Sequence, residues 1–279
     1  MYVEEIFSYN IPEVSGPVTR VKFGERVVEY WGNLETTDKV LIAHDGQCIF
    51  DTRTAKRNTT WKLAEGASEI AREFSTTPPL IIAIWHQGEV GDSVSRGRDL
   101  SPEDYFKSGM ELFPKNGPFD VNAVQGNLYL NEIFENIVPT IVSKTRSHWT
   151  AEKTAMIGAS RGALSTLYAL NKYPDKFSAA LAHSTHWPIG KNPLVEMTIN
   201  NLPDPGKHYI WMAHGSEGFD AEYGPYQQYA HQLLVEKGYR MRENFSFTYY
   251  PGASHDEASW SKQAPDSLRN WFEIIDINP

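Results

Sequence analysis

The feature that most restricts this chain is Gly158-Ala-Ser-Arg-Gly162, set between an apolar strand-like run and a helix-like run. Thr154 to Ala159 (TAMIGA) precedes it directly, and Arg161 to Lys172 (RGALSTLYALNK) follows directly, stopped by Pro174. A serine flanked by glycines at this spacing fits a sharp strand-to-helix turn. The glycines let strand and helix approach closely, and the turn lifts the Ser160 hydroxyl clear of the sheet. The same turn aims the unpaired N–H groups of a helix N-terminus at any negative charge that develops beside the serine.

The remainder of the chain alternates in the same manner. Short apolar runs of the buried-strand type lie at 39–44 (KVLIAH), 79–85, 154–159, 177–182, 208–213 and 244–250. Helical spacing predicts helices at 61–74, 129–142, 161–172, 226–237 and 260–275, with Pro139 expected to kink or end the second. Val18 to Trp31, around Gly24, reads as an antiparallel hairpin. Together these predict a single domain over 1–279: a mostly parallel sheet with an N-terminal antiparallel hairpin and helices on both faces. The segment 87–126 shows no clear periodicity and is long for a loop, so it is expected to be an excursion over the functional site.

A serine hydroxyl needs a neighbouring base. In strand-turn-helix sites of this kind the order along the chain is serine, then acid, then histidine. Beyond Gly224 the histidines are His231 and His255. His231 falls inside a predicted helix. His255 falls in Pro251-Gly-Ala-Ser-His-Asp-Glu, just after the last strand, where a loop can reach back over the sheet. The acid should lie in His214-Gly-Ser-Glu-Gly-Phe-Asp-Ala-Glu-Tyr: Asp220 first, Glu217 as the alternative, Glu222 third. Two backbone N–H groups are needed for an oxyanion. One is that of Arg161. The other falls in Asp45-Gly46-Gln47-Cys48, with Gln47 the choice. Trp85, His86, His186 and Trp187 follow strands at the end where open α/β sheets bind ligands, and are expected to line the pocket. His183 and His186 follow a strand and have no evident third partner, so no metal site is expected.

Composition narrows the partners. With 26 Lys+Arg against 35 Asp+Glu the formal charge is −9, which disfavours nucleic acid and anionic membrane surfaces. Cys48 is the single cysteine, so the sequence contains neither an intrachain disulfide nor a cysteine zinc cluster. No basic-then-apolar leader and no long apolar span is visible. The expectation is a cytoplasmic monomer or small homo-oligomer acting on a small molecule without a cofactor.

At this point the chain resembles the putative-esterase family of α/β-hydrolases. That family includes enterochelin esterases, S-formylglutathione hydrolases, feruloyl and acetylxylan esterases and mycolyltransferases. The resemblance rests on Ile42 to Asp51 with its Asp-Gly loop, Trp61, Ile133 to Val142, and Met156 to Tyr173 with Pro174. It continues through Ser184 to Pro188, His214 to Gln227 and Gly252 to Trp260. It implies the α/β-hydrolase fold and ester hydrolysis by a Ser160–Asp220–His255 triad through an acyl-enzyme. In the sub-branch most similar to this chain the acid is the Asp of Gly-x-Glu-x-x-Asp, which favours Asp220. Acyl transfer with the same triad is the alternative activity, and a catalytically silent binding module on the same fold is the alternative class. The elbow departs from the frequent Ser-Met-Gly-Gly: it reads Ser160-Arg-Gly-Ala163, and a charged side chain at 161 would favour an anionic or polar acyl group.

Overall fold

The computed structural model describes residues 3–32, 37–88, 91–114 and 119–277. One nine-stranded sheet organises them. Its strands are β1 (Val3–Asn10), β2 (Pro17–Phe23), β3 (Arg26–Trp31), β4 (Val40–Ala43), β5 (Leu80–Ile84), β6 (Thr154–Ala159), β7 (Ala179–His183), β8 (Tyr209–His214) and β9 (Phe245–Tyr249). The spatial order is β1-β2-β3-β5-β4-β6-β7-β8-β9. The first three strands and the β3–β5 pair are antiparallel, and from β5 through β9 every neighbour is parallel.

The parallel strands are buried along their whole lengths up to β8, which is why they read as unbroken apolar runs. Alternate side chains feed two cores. Ile42, Ile82, Met156, Ala180 and Met212 face one side, while Leu41, Ala43, Ile81, Ile157 and Trp211 face the other. The second face is closed by α1 (Leu63–Glu73) and α9 (Glu257–Ile277), through Leu63, Ala67, Ile70, Leu268 and Trp271. The first face is covered by the helices α2 (Ser93–Leu100), α3 (Glu103–Phe106), α4 (Gly126–Glu132), α5 (Val138–Thr145), α6 (Arg161–Lys172), α7 (Lys191–Asn201) and α8 (Gly224–Glu236).

The structure corrects the sequence reading in four places. β1 was not anticipated. It is an edge strand with mostly exposed residues, so it carries no apolar alternation. Pro139 does not end its helix. A π-helical turn, Ile133–Ile137, joins α4 to α5 directly before it, and this wider turn absorbs the missing N–H and the ring. α7 was missed as well. The segment 87–126 is not structureless: Asp92 caps α2, accepting from the N–H groups of Val94 and Ser95, and α3 and a turn at Val121–Ala123 follow. Residues 89, 90 and 115–118 of that segment lie outside the described residues. Among the described residues no helix is long and apolar enough to cross a membrane.

Candidate active site

Ser160 stands at the junction of β6 and α6 with φ 58 and ψ −117, a conformation that costs a side-chain-bearing residue about 1–3 kcal/mol. The chain holds it there from both sides. Its N–H donates to the His183 carbonyl at 2.9 Å, and its carbonyl accepts from Leu164 and His186 N–H groups at 3.2 and 3.3 Å. Space requires the glycine before Ser160. A Cβ on Gly158 would lie 2.5 Å from the backbone carbonyl of Gly162, so strand and helix could not meet with any side chain there.

The turn opens on a cavity of about 730 Å³, within the range of small-molecule sites. Its wall includes Ser160, His255, Gln47, Arg161, His86 and His186, and segment 87–126 contributes Arg96, Phe119 and Ala123.

His255 Nδ1 lies 2.6 Å from Asp220 Oδ1. Asp220 is buried, and its second oxygen accepts from Ser184 Oγ at 2.6 Å and from the Gly215 N–H at 2.7 Å. Burial alone would raise this carboxyl's pKa. The hydrogen bonds and charge of His255, with those of Ser184 and Gly215, outweigh burial and lower it. Ser184 cannot turn away, because Trp260 Nε1–H donates to its oxygen at 3.1 Å. Of the other candidate carboxylates, Glu217 and Glu222 are exposed, whereas the carboxylate at 2.6 Å from His255 is that of Asp220. His231 sits on α8, packed edge-on to Phe245.

The Asp45–Cys48 loop forms a tight turn after β4, with Asp45 at φ 54. Its internal bonds run from Cys48 N–H to Asp45 O and from Ile49 N–H to Gly46 O, leaving the Gln47 N–H at the open N-terminal end. The Arg161 N–H is likewise at the start of α6. The Gln47 side chain braces the loop by donating to His86 O at 3.0 Å.

Of the four expected pocket residues, His86 and His186 line the cavity and Trp85 and Trp187 do not. Trp85 stacks under the Arg20 guanidinium and reaches toward Glu29, and Trp187 is wholly buried against Gln227. His183 is also buried, bonded to Gln263 and Ser267, and burial lowers its pKa to about 4.

Two participants escaped the sequence reading. Arg96 of α2 clasps Asp45 through two bonds of 2.6 and 2.7 Å and also donates to the Ala159 carbonyl at 3.1 Å, tying the overhanging segment to the serine turn. The buried Tyr223 hydroxyl meets His186 Nδ1 at 2.7 Å, and its ring lies edge-on to His255. Only the Asp-to-Tyr interval within one turn, Asp220 to Tyr223, hinted that the acid loop would also reach His186.

The strand order, with a strained serine at the tip of β6 and an Asp–His pair after β8 and β9, defines an α/β-hydrolase. The family described as "Putative esterase" matches residues 29–269, and the chain belongs to it. In solved structures the fold recurs in the enterobactin esterase Fes of Shigella flexneri (16% identity, TM-score 0.62, covering 98% of this chain and 60% of that one). It recurs in the enterobactin hydrolase IroE (17%, TM-score 0.58, 95% and 94%) and in an IroE-like serine hydrolase from Shewanella oneidensis (18%, TM-score 0.64, 89% and 76%). A curated relative, the uncharacterized protein YbbA of Bacillus subtilis, is 28% identical over 151 residues, 51% of this chain and 58% of that protein. The match thus spans under two thirds of that relative, and the chain spans a similar share of Fes.

Proposed function

We propose that the protein hydrolyses a carboxylic ester of a small molecule through an acyl-enzyme. Ser160 Oγ attacks the carbonyl carbon while His255 Nε2 takes its proton. Asp220 keeps the other proton of His255 on Nδ1 and offsets the imidazolium charge. The carbonyl π electrons move onto oxygen, and the Arg161 and Gln47 N–H groups stabilise that oxyanion. Collapse of the intermediate expels the alkoxide, which leaves with the proton from His255. Water, deprotonated by the same imidazole, then releases the acid and restores Ser160. No cofactor enters this sequence. A cytoplasmic setting suits a chain whose single cysteine asks for no oxidising compartment.

The observation that carries the reading is the 2.6 Å Asp220–His255 pair facing the cavity into which the strained Ser160 opens. The test is hydrolysis of p-nitrophenyl esters of increasing chain length by wild type, Ser160→Ala and His255→Ala. Loss of several orders of magnitude in both variants is expected. A Ser160→Ala enzyme as active as wild type overturns it.

A further inference from the structure

Arg161 does more than supply an N–H. Its side chain is half-buried in the cavity wall beside Ser160. The guanidinium donates to Ser101 Oγ at 2.9 Å and lies over the Phe119 ring, 4.7 Å from its centroid. Ser101 is itself fixed by its bond to the Gly97 carbonyl at 2.6 Å, and a Cβ at Gly97 would press on Phe119 at 3.1 Å. Three positions of the overhanging segment therefore shape a seat for this one cation.

The other cations of the cavity are accounted for. Arg96 is clasped to Asp45, Arg98 is paired with Asp99, and Lys56 and Arg57 are exposed. Arg161 has no carboxylate partner among the described residues. Burial, with the nearby charge of Arg96, lowers its pKa to about 10. A half-buried guanidinium with unused donors, seated beside the reacting serine, is a site that lacks its anion.

We propose that Arg161 is the specificity-determining anchor for a carboxylate on the acyl part of the substrate, so that the preferred substrates are monoesters of dicarboxylic acids. The acyl side is assigned by geometry. His255 returns its proton to the departing alcohol, and its contacts lie in the acid loop and α9, with Asp220, Phe219, Tyr223 and Trp260. The hydrogen bond and ring contact of the Arg161 side chain lie instead in segment 87–126, away from the acid loop and α9. This proposal rests on the hydrolase reading above.

The experiment compares kcat/KM for p-nitrophenyl hemisuccinate, hemiglutarate and hemiadipate with their methyl-capped diesters, and with neutral acyl esters of an anionic alcohol. Ser160→Ala supplies the background, including spontaneous cleavage. The expected result is a preference of about 10- to 100-fold for at least one free-acid acyl chain over its capped partner. That ratio should collapse toward one in Arg161→Met, persist in part in Arg161→Lys, and fall severalfold in Ser101→Ala, which perturbs the seat should the Arg161 variants fold poorly. The ratio cancels any effect on the N–H group. A wild-type ratio at or below one, a ratio untouched by Arg161→Met or Ser101→Ala, or a preference confined to anionic alcohols overturns the proposal while ester hydrolysis stands. No cleavage of any ester above the Ser160→Ala background overturns the hydrolase reading, and this one with it.

Discussion

Asp220→Asn isolates the role of the acid, and the structure fixes what the new amide must do. The site now occupied by Asp220 Oδ2 receives the Gly215 N–H at 2.7 Å, a donor that cannot become an acceptor. It also receives the Ser184 hydroxyl, whose own oxygen already accepts from Trp260. An amide oxygen fits there and an amide NH2 does not. The NH2 must therefore face His255, donating to Nδ1. The imidazole proton then sits on Nε2, the atom that has to accept from Ser160. In serine proteases an enforced wrong tautomer costs roughly 10,000-fold in kcat, and a loss of about 1,000- to 10,000-fold is expected here, roughly 4–5.5 kcal/mol of barrier. The assay is kcat for p-nitrophenyl acetate against a Ser160→Ala baseline, with thermal midpoints checking that the fold persists. Glu217→Gln, at the exposed rival position, should stay within about twofold of wild type. An Asp220→Asn enzyme within tenfold of wild type, or a Glu217→Gln enzyme as impaired as Asp220→Asn, refutes the reasoning.

Three further outcomes follow from the same geometry. Ser160→Gly should be more stable than Ser160→Ala by about 1 kcal/mol, because glycine adopts φ 58 without the strain that both serine and alanine carry; urea unfolding of the two inactive variants decides it. Gly158→Ala should destabilise by about 1–3 kcal/mol and cut activity, since its Cβ would meet the Gly162 carbonyl at 2.5 Å, and a variant as stable as wild type would show that the junction is not tightly packed. Burial is the largest cause raising the Glu257 pKa, outweighing the opposing pull of Lys56 and Arg57. The folded state therefore holds this proton to higher pH than the unfolded chain, so its contribution is complete below about pH 4 and is lost as pH rises through the folded value. Glu257→Gln should then be more stable than wild type at pH 7 and match it near pH 4 in denaturant titrations; equal stability at pH 7 contradicts the shift.

What could be read from the sequence divides by the range of the interaction. The serine turn, the β2–β3 hairpin and the position of His255 are set by neighbours along the chain, through glycine, apolar runs and a loop after the last strand. β1 and α7 are set by partners far away. VEEIFSYN gains strand structure by pairing with β2, and Lys191–Asn201, with its Pro and paired Asn, packs against α8 without a clean apolar stripe. The pocket residues show the same division. Residues 85–86 and 186–187 were named from their position after strands, but which of each pair lines the cavity is set by the local backbone, a 3-10 turn at Trp187 in the second case, which the end of a strand leaves undetermined. The Arg96–Asp45 clasp joins residues 51 apart through a segment without periodicity, so no local signal could announce it.

Backbone strain ties these pieces together. Three residues other than glycine with positive φ, Asp45, Ser160 and Ser184, follow the adjacent strands β4, β6 and β7. Each is held by a bond from another element: α2 for Asp45, β7 for Ser160 and β8 for Ser184. Arg96 joins Asp45 to the Ala159 carbonyl, His183 O receives the Ser160 N–H, and the Ala213 carbonyl accepts from Ser184 N–H at 2.6 Å. Strain stored at one strand end could be an accident of a loop. At three consecutive ends it requires the neighbouring strands of the parallel sheet to be in register. The site is therefore a property of the completed sheet. Loosening any one of these three junctions is expected to displace the others, and this coupling gives the two glycines around Ser160 a consequence well beyond the turn they occupy.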